Sequence, residues 1–89
     1  MKSRTTRRFR KALGKLPQQV QQQAREAYEL FLENPDHPSL RLKRIHSGKE
    51  IYSARITRAI RALAVRQDDL MIWFWIGSHD EYEMLIKQV

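Results

Sequence analysis

Between Asp69 and Gly77 the chain reads LMIWFWI, seven apolar residues with Trp73, Phe74 and Trp75 in a row and no charge or turn former. Such a run is too short to cross a membrane and too aromatic for an ordinary exposed loop. It predicts a strand buried on both faces, the central strand of a sheet. The run stops at Gly77, and Ser78, His79, Asp80, Glu81 and Tyr82 follow at once. A rigid strand that delivers titratable side chains at its end is a common way to hold reactive groups in place. The same residues suit a plainer role, with Ser78 or Asp80 capping a short final helix and His79 in solvent.

Whatever packs on this strand must come from the rest of an 89-residue chain, which is enough for one domain, 1–89, and one small core. Upstream, Phe9, Leu13 and Leu16 recur at helical spacing. Pro17 then suits the first turn of a second helix with the stripe Val20, Ala24, Ala27, Tyr28 and Phe31. Asn34-Pro35 ends it, because the residue before proline is pushed out of the helical region. These two stripes describe an N-terminal helix hairpin with one apolar face. A loop over 35–39 leads into strands predicted at 40–46, 51–56 and 59–67, which with the aromatic strand form an antiparallel meander. Thr5 and Thr6 are compatible with an additional edge strand. The expected class is α+β: a helix hairpin packed on a small antiparallel sheet, with a short C-terminal helix.

Charge narrows the partners. Seventeen Lys and Arg face ten Asp and Glu, for a formal charge of +7, and the signs are segregated. Lys2, Arg4, Arg7, Arg8, Arg10, Lys11 and Lys15 occupy residues 1–16 without an acid. Arg41, Lys43, Arg44, Lys49, Arg55, Arg58 and Arg61 occupy residues 41–61, where Glu50 is the one acid. This asymmetry favours a polyanion, nucleic acid before an acidic protein surface. Arg7, Arg8, Lys11, Lys15, Arg44, Arg55 and Arg58 are the candidate RNA-binding residues. With no cysteine, disulfides, thiolate nucleophiles and zinc–sulfur sites are excluded. The basic start lacks the apolar core of a secretory signal, and no segment has the length of a membrane span, so cytoplasmic residence without a membrane partner is expected.

The side chains available for chemistry are few. His37, His46 and His79 are scattered and lack metal-ligand spacing, so no metal or small-molecule cofactor is expected. Ser78-His79-Asp80 names a triad, but consecutive residues cannot converge as one. Gly14, Gly48 and Gly77 stand alone and make no phosphate loop. RNA cleavage remains, because the substrate brings its own 2′-hydroxyl nucleophile. The protein then supplies a base, cations around the phosphorane-like transition state and an acid. His79 and Tyr82, three residues apart, are candidates for the acid. Arg61, Arg55 and Lys43 are candidates for the phosphate, and Glu50 or His46 for the base. Each also has a structural role open to it, Tyr82 as a core tyrosine and Lys43 as a solvated strand residue.

The stretches KALGKLPQQV, NPDHPSLRLKRI, YSARITRAIRAL and WIGSHDEY occur in an order and spacing that resembles the RelE/ParE superfamily of type II toxin–antitoxin toxins, the RelE and HigB-like members most. The resemblance covers nearly the whole chain. It implies the α+β fold above, a neutralising cognate antitoxin and, for the RelE branch, cleavage of mRNA in the ribosomal A site. On that likeness the strand arginine at the scissile phosphate is Arg61. The C-terminal acid or stacking group is His79 or Tyr82, and the first meander strand contributes Lys43 and His46. Two positions depart from the pattern: Arg66 is the last arginine, and Ile60 stands where an aromatic is frequent. The ParE branch, which poisons DNA gyrase without nuclease chemistry, is the alternative, as is a relic that only binds nucleic acid.

Overall fold

In the computed structural model, which describes residues 1–88, a five-stranded sheet carries the helix hairpin on one face. The elements are β1 (Lys2–Thr5), α1 (Arg7–Gly14), α2 (Gln18–Glu33), β2 (Lys43–Arg44), β3 (Ile51–Arg55), β4 (Ile60–Gln67), β5 (Leu70–Ser78) and α3 (His79–Ile86). Thr6 starts α1 by accepting a hydrogen bond from the Phe9 N–H at 3.1 Å. Pro17 stands just before α2 as its N-cap, and Asn34 ends that helix. The α+β class, the hairpin and the final helix follow the expectation. Among the described residues no helix is long and apolar enough to cross a membrane.

Sheet order is β1-β5-β4-β3-β2, and every pairing is antiparallel except β1 with β5. The expected antiparallel sheet is therefore a mixed one. β1 feeds a helix rather than a hairpin, and the long path from α1 to β4 is the crossover that a parallel neighbour needs. The Thr6 N–H still donates to the Trp73 carbonyl at 2.9 Å, and α1 then takes over the edge of β5 where β1 stops.

Two expectations about the strands change. The aromatic strand is not central, since β4 lies in the middle, and it is not buried on both faces. Leu63 pairs with Trp75 but Ala64 pairs with Trp73, so Phe74 is the extra residue of a β-bulge. The bulge shifts the alternation by one. Met71, Trp73 and Ile76 are thereby all buried under the helices, while Ile72, Phe74 and Trp75 are only half-buried. The predicted strand over 40–46 shrinks to Lys43–Arg44, because Pro38–Leu40 forms a 3-10 turn capped by His37 and Arg41 takes a left-handed backbone (φ 45°, ψ 45°).

Core packing follows side-chain size. Ala54, Ala62 and Ala64 make a low floor on which Phe31 of α2 meets Trp73 edge-on, at 5.2 Å between ring centroids. Ser3 ties β1 into this core: its Oγ accepts from the Tyr28 hydroxyl at 2.8 Å and from the Trp73 indole N–H at 3.1 Å. Ser3→Ala leaves both donors without that acceptor and should destabilise the domain by about 1–3 kcal/mol. Urea unfolding should then show a lower midpoint at unchanged slope. A wild-type midpoint would mean that water replaces the hydroxyl without loss.

Candidate active site

Opposite the helix hairpin, the other face of the sheet is built from the partners Arg55, Arg61 and Gly77, adjacent on β3, β4 and β5. Residues directly opposite in antiparallel strands project to the same side, so both arginines stand on this face. Arg61 is held by one end of its guanidinium. Its Nη1 donates to the carbonyls of Thr57 at 2.7 Å and Arg58 at 3.2 Å in the β3–β4 turn, and to that of Ile60 at the start of β4 at 3.2 Å. Those bonds use one nitrogen of the guanidinium fork and leave Nη2 and Nε for another partner. Burial lowers the Arg61 pKa from the ordinary arginine value. The positive charges of Arg55 and Arg41 add to this, and Tyr82 and Glu83 partly oppose it. Arg61 nonetheless remains a cation across the physiological range.

Arg41 enters the cluster through backbone geometry. Its left-handed conformation is uncommon outside glycine, asparagine and aspartate. It turns the chain out of the 3-10 turn and brings this side chain within electrostatic reach of Arg61. Among the described residues the ion pairs are Arg44–Glu50 and His79–Glu83, so neither Arg41, Arg55 nor Arg61 is matched by a carboxylate. Three guanidinium groups with no carboxylate at ion-pair distance, and Glu83 only a weaker influence on Arg61, make a site for an anion.

The proton-carrying groups come from α3. Ser78 caps it in a reciprocal box with Glu81: Ser78 Oγ accepts from the Glu81 N–H at 3.1 Å, while the Glu81 carboxylate accepts from the Ser78 N–H at 3.2 Å. The capping role is therefore real, and it also fixes where His79 stands. The His79 N–H donates to the Ala59 carbonyl at 2.8 Å, which pins the helix start to the turn that Arg61 braces. His79 and Tyr82 lie one turn apart with ring centroids 6.0 Å apart, and Nε2 of His79 is 3.3 Å from Glu83. Tyr82 is 4% exposed, and among the described residues no buried side-chain nitrogen or oxygen lacks a partner.

Lys43 shares the arginine face, opposite Ser53 on the edge strand and two residues along from Arg55. Glu50 and His46 are not brought to Arg61. Glu50 lies at the far end of β3, five residues from Arg55, or about 16 Å along the strand. Its carboxylate is 3.2 Å from Arg44 and accepts from the Tyr52 hydroxyl at 3.3 Å. His46 Nδ1 accepts from the N–H groups of Gly48 and Lys49, both at 3.0 Å, so its lone pair is spent on the β2–β3 turn. The Arg44 side chain wraps the same turn, with Nε 3.0 Å from the His46 carbonyl. Arg58 is exposed in the β3–β4 turn, while Arg7, Arg8 and Lys11 on α1, and Lys15 at its C-cap, are exposed. Arg41 and Glu83 are the neighbours that the sequence reading did not single out as site residues. The four-residue step from His79 to Glu83 was visible; the backbone twist at Arg41 was not.

A family model of the ParE-like toxin domain matches residues 18–84. The chain belongs to this family of ParE-like toxin domains. The match runs from α2 into α3 and includes every residue of the arginine cluster together with His79, Tyr82 and Glu83. Solved structures of several toxins share its fold. YafQ from E. coli strain BL21(DE3) matches with a TM-score of 0.71 at 13% identity, over 90% of this chain and 94% of that one. The archaeal RelE–RelB complex from Pyrococcus horikoshii OT3 matches at 0.70 and 15%, over 86% and 92%. A YoeB/ParE toxin from Agrobacterium tumefaciens matches at 0.67 and 12%, over 89% and 99%. At such identities the likeness is one of fold. None of the curated proteins matches this sequence.

Proposed function

We propose that this toxin domain is a ribosome-dependent mRNA endonuclease that inhibits translation without a metal or other cofactor and is held inactive by a cognate antitoxin. The carrying observation is that Arg55 and Arg61 pair on neighbouring strands, while the His79 N–H bonded to Ala59 sets the start of the helix bearing His79 and Tyr82 on the turn that Arg61 braces. In this reading the 2′-oxygen of a ribose attacks the adjacent phosphorus and the 5′-oxygen leaves. The guanidinium groups offset the charge gathering on the phosphoryl oxygens. His79 and Tyr82 share the two proton transfers, Glu83 orienting the imidazole, and Lys43 extends the cationic face. Glu50 and His46 serve the hairpin turn, so the base is sought among the residues beside Arg61. The fold match to a RelE–RelB complex supports an antitoxin partner. An apolar cleft of about 270 Å³ under the helix hairpin, walled by Phe9, Leu13 and Phe31, suits side chains of an extended partner segment. The site of action would be the cytoplasm, where ribosomes and mRNA meet.

Inducible expression followed by primer extension on a translated message tests the reading. Cleavage inside translated codons, relieved by co-expressing the antitoxin, is expected. Growth arrest with intact message and blocked DNA supercoiling would overturn it in favour of gyrase poisoning, the ParE-type activity.

A further inference from the structure

On the edge of β5, one strand from the arginine cluster, the bulge leaves an aromatic surface that the proposed chemistry does not use. Phe74 and Trp75 line an open groove of about 400 Å³, whose other wall is α1 with Arg8, Lys11 and Lys15. An indole kept partly exposed among cations forgoes part of the burial that usually pays for a tryptophan. Its position is also fixed. A Cβ at Gly77 would lie 2.6 Å from Cζ2 and 2.9 Å from Cη2 of Trp75, so the ring lies against the backbone where only glycine leaves room. Glu81, the acid of the groove, turns its carboxylate to the Ser78 N–H and hydroxyl, at 3.2 and 2.9 Å.

The cations are placed to match. Arg8, Lys11 and Lys15 follow one another at steps of three and four, along one side of α1 over about 10 Å. None is in an ion pair among the described residues. Gly77, on which the indole rests, is the direct strand neighbour of Arg61. A strand whose phosphate sits on the arginine cluster therefore has a rigid aromatic plate one strand away, with a row of cations beyond it. A flat plate beside a shallow basic groove is how single-stranded nucleic acid is held, one face stacking a base and cations tracking the backbone.

We infer that this groove is a single-stranded RNA subsite, in which one base stacks on Trp75 while flanking phosphates lie on Arg8, Lys11 and Lys15. The inference rests on the proposed action on RNA and assigns a binding residue that the cleavage chemistry does not require. An acidic protein segment is the rival occupant. It is disfavoured because the groove is open and plate-like, whereas the apolar cleft that would seat a side chain lies under the helices.

Binding is measured by anisotropy with labelled deca-adenylate and with a ribose-phosphate decamer of the same length lacking bases, using the full chain. Trp75→Ala should weaken deca-adenylate binding roughly 5- to 100-fold, the range for losing one base–aromatic stack. It should leave the base-free decamer unaffected, and Trp75→Phe should retain most of the affinity. If Trp75→Ala does not fold, Trp75→Leu, which fills the space without a π face, carries the same expectation. Lys11→Gln with Lys15→Gln should reduce the salt slope of binding by about 1.4, some 0.7 per phosphate contact. Unchanged affinity in the folded Trp75 variant, or equal loss for both decamers, would overturn the inference. So would Trp75-dependent binding of oligo-glutamate at the affinity of the RNA. None of these readings requires cleavage. A chain that binds in this way but cuts nothing would refute the nuclease while leaving the groove, and a nuclease indifferent to Trp75 would do the reverse.

Discussion

Arg61→Ala should lower the rate of RNA cleavage by roughly 10²-fold or more, the cost of one preorganised donor aimed at developing charge. Arg61→Lys should recover little of it. The guanidinium has two tasks: Nη1 is anchored on the carbonyls of Thr57, Arg58 and Ile60, while the rest of the fork remains available to phosphate oxygens. An ammonium is a single point and cannot hold the turn and span two oxygens together. The anchoring makes a structural effect certain to accompany the catalytic one, because hydrogen bonds from a charged donor contribute to stability as well. Circular dichroism and urea unfolding must therefore show that each variant is folded under assay conditions. The rate is then compared among folded molecules. Cleavage at the wild-type rate by folded Arg61→Ala would place the phosphate elsewhere and remove the main support for the proposed chemistry.

Arg61 also shows how far a linear reading reaches. In sequence it shares its parity with Leu63 and Val65, which alone leaves its facing open; pairing with Arg55, beside the core pair Ala54 and Ala62, sets it on the side away from the helix hairpin. The hairpin itself was legible because helical periodicity, Pro17 and Asn34-Pro35 are local signals. The place of β1 was not, because Lys2 pairing with Leu70 is a long-range choice that four residues cannot announce. The seven-residue apolar run misled for a related reason. Continuous hydrophobicity reads as burial on both faces, yet the bulge at Phe74 puts Trp73 and Ile76 on one face and leaves Trp75 on the other. At the site, the residues near the end of β5 were visible as chemistry. The separation of Glu50 and His46 from Arg61 came from their lying at the opposite end of β3. Arg41 was seen as charge, but its left-handed backbone depends on the preceding 3-10 turn, which no residue type in PSLRL demands.

His79→Gln and Tyr82→Phe divide the remaining chemistry between them. The two rings are neighbours on α3, and each can carry a proton that phosphoryl transfer must move. General acid–base participation is typically worth about 10²–10⁴-fold, so the variant that removes a working group should fall in that range. The two substitutions are gentle. Phenylalanine keeps the buried ring of Tyr82 and deletes only its oxygen, and glutamine keeps a polar group at the exposed start of α3. The contact of His79 with Glu83 is half-exposed on both sides and contributes at most about 1 kcal/mol to stability, so a large rate loss cannot be charged to unfolding. If the two groups act as base and acid, each single variant should also remove one limb of the pH–rate profile, and the double variant should lose little more than the worse single one. If only one of them transfers a proton, the other should lose far less, as expected of a residue that packs or stacks. Glu83→Gln separates orientation from proton transfer: it should reduce the rate less than His79→Gln and leave both limbs in place. Wild-type cleavage by the folded double variant, His79→Gln with Tyr82→Phe, would mean that neither ring moves a proton and that the acid and the base lie elsewhere.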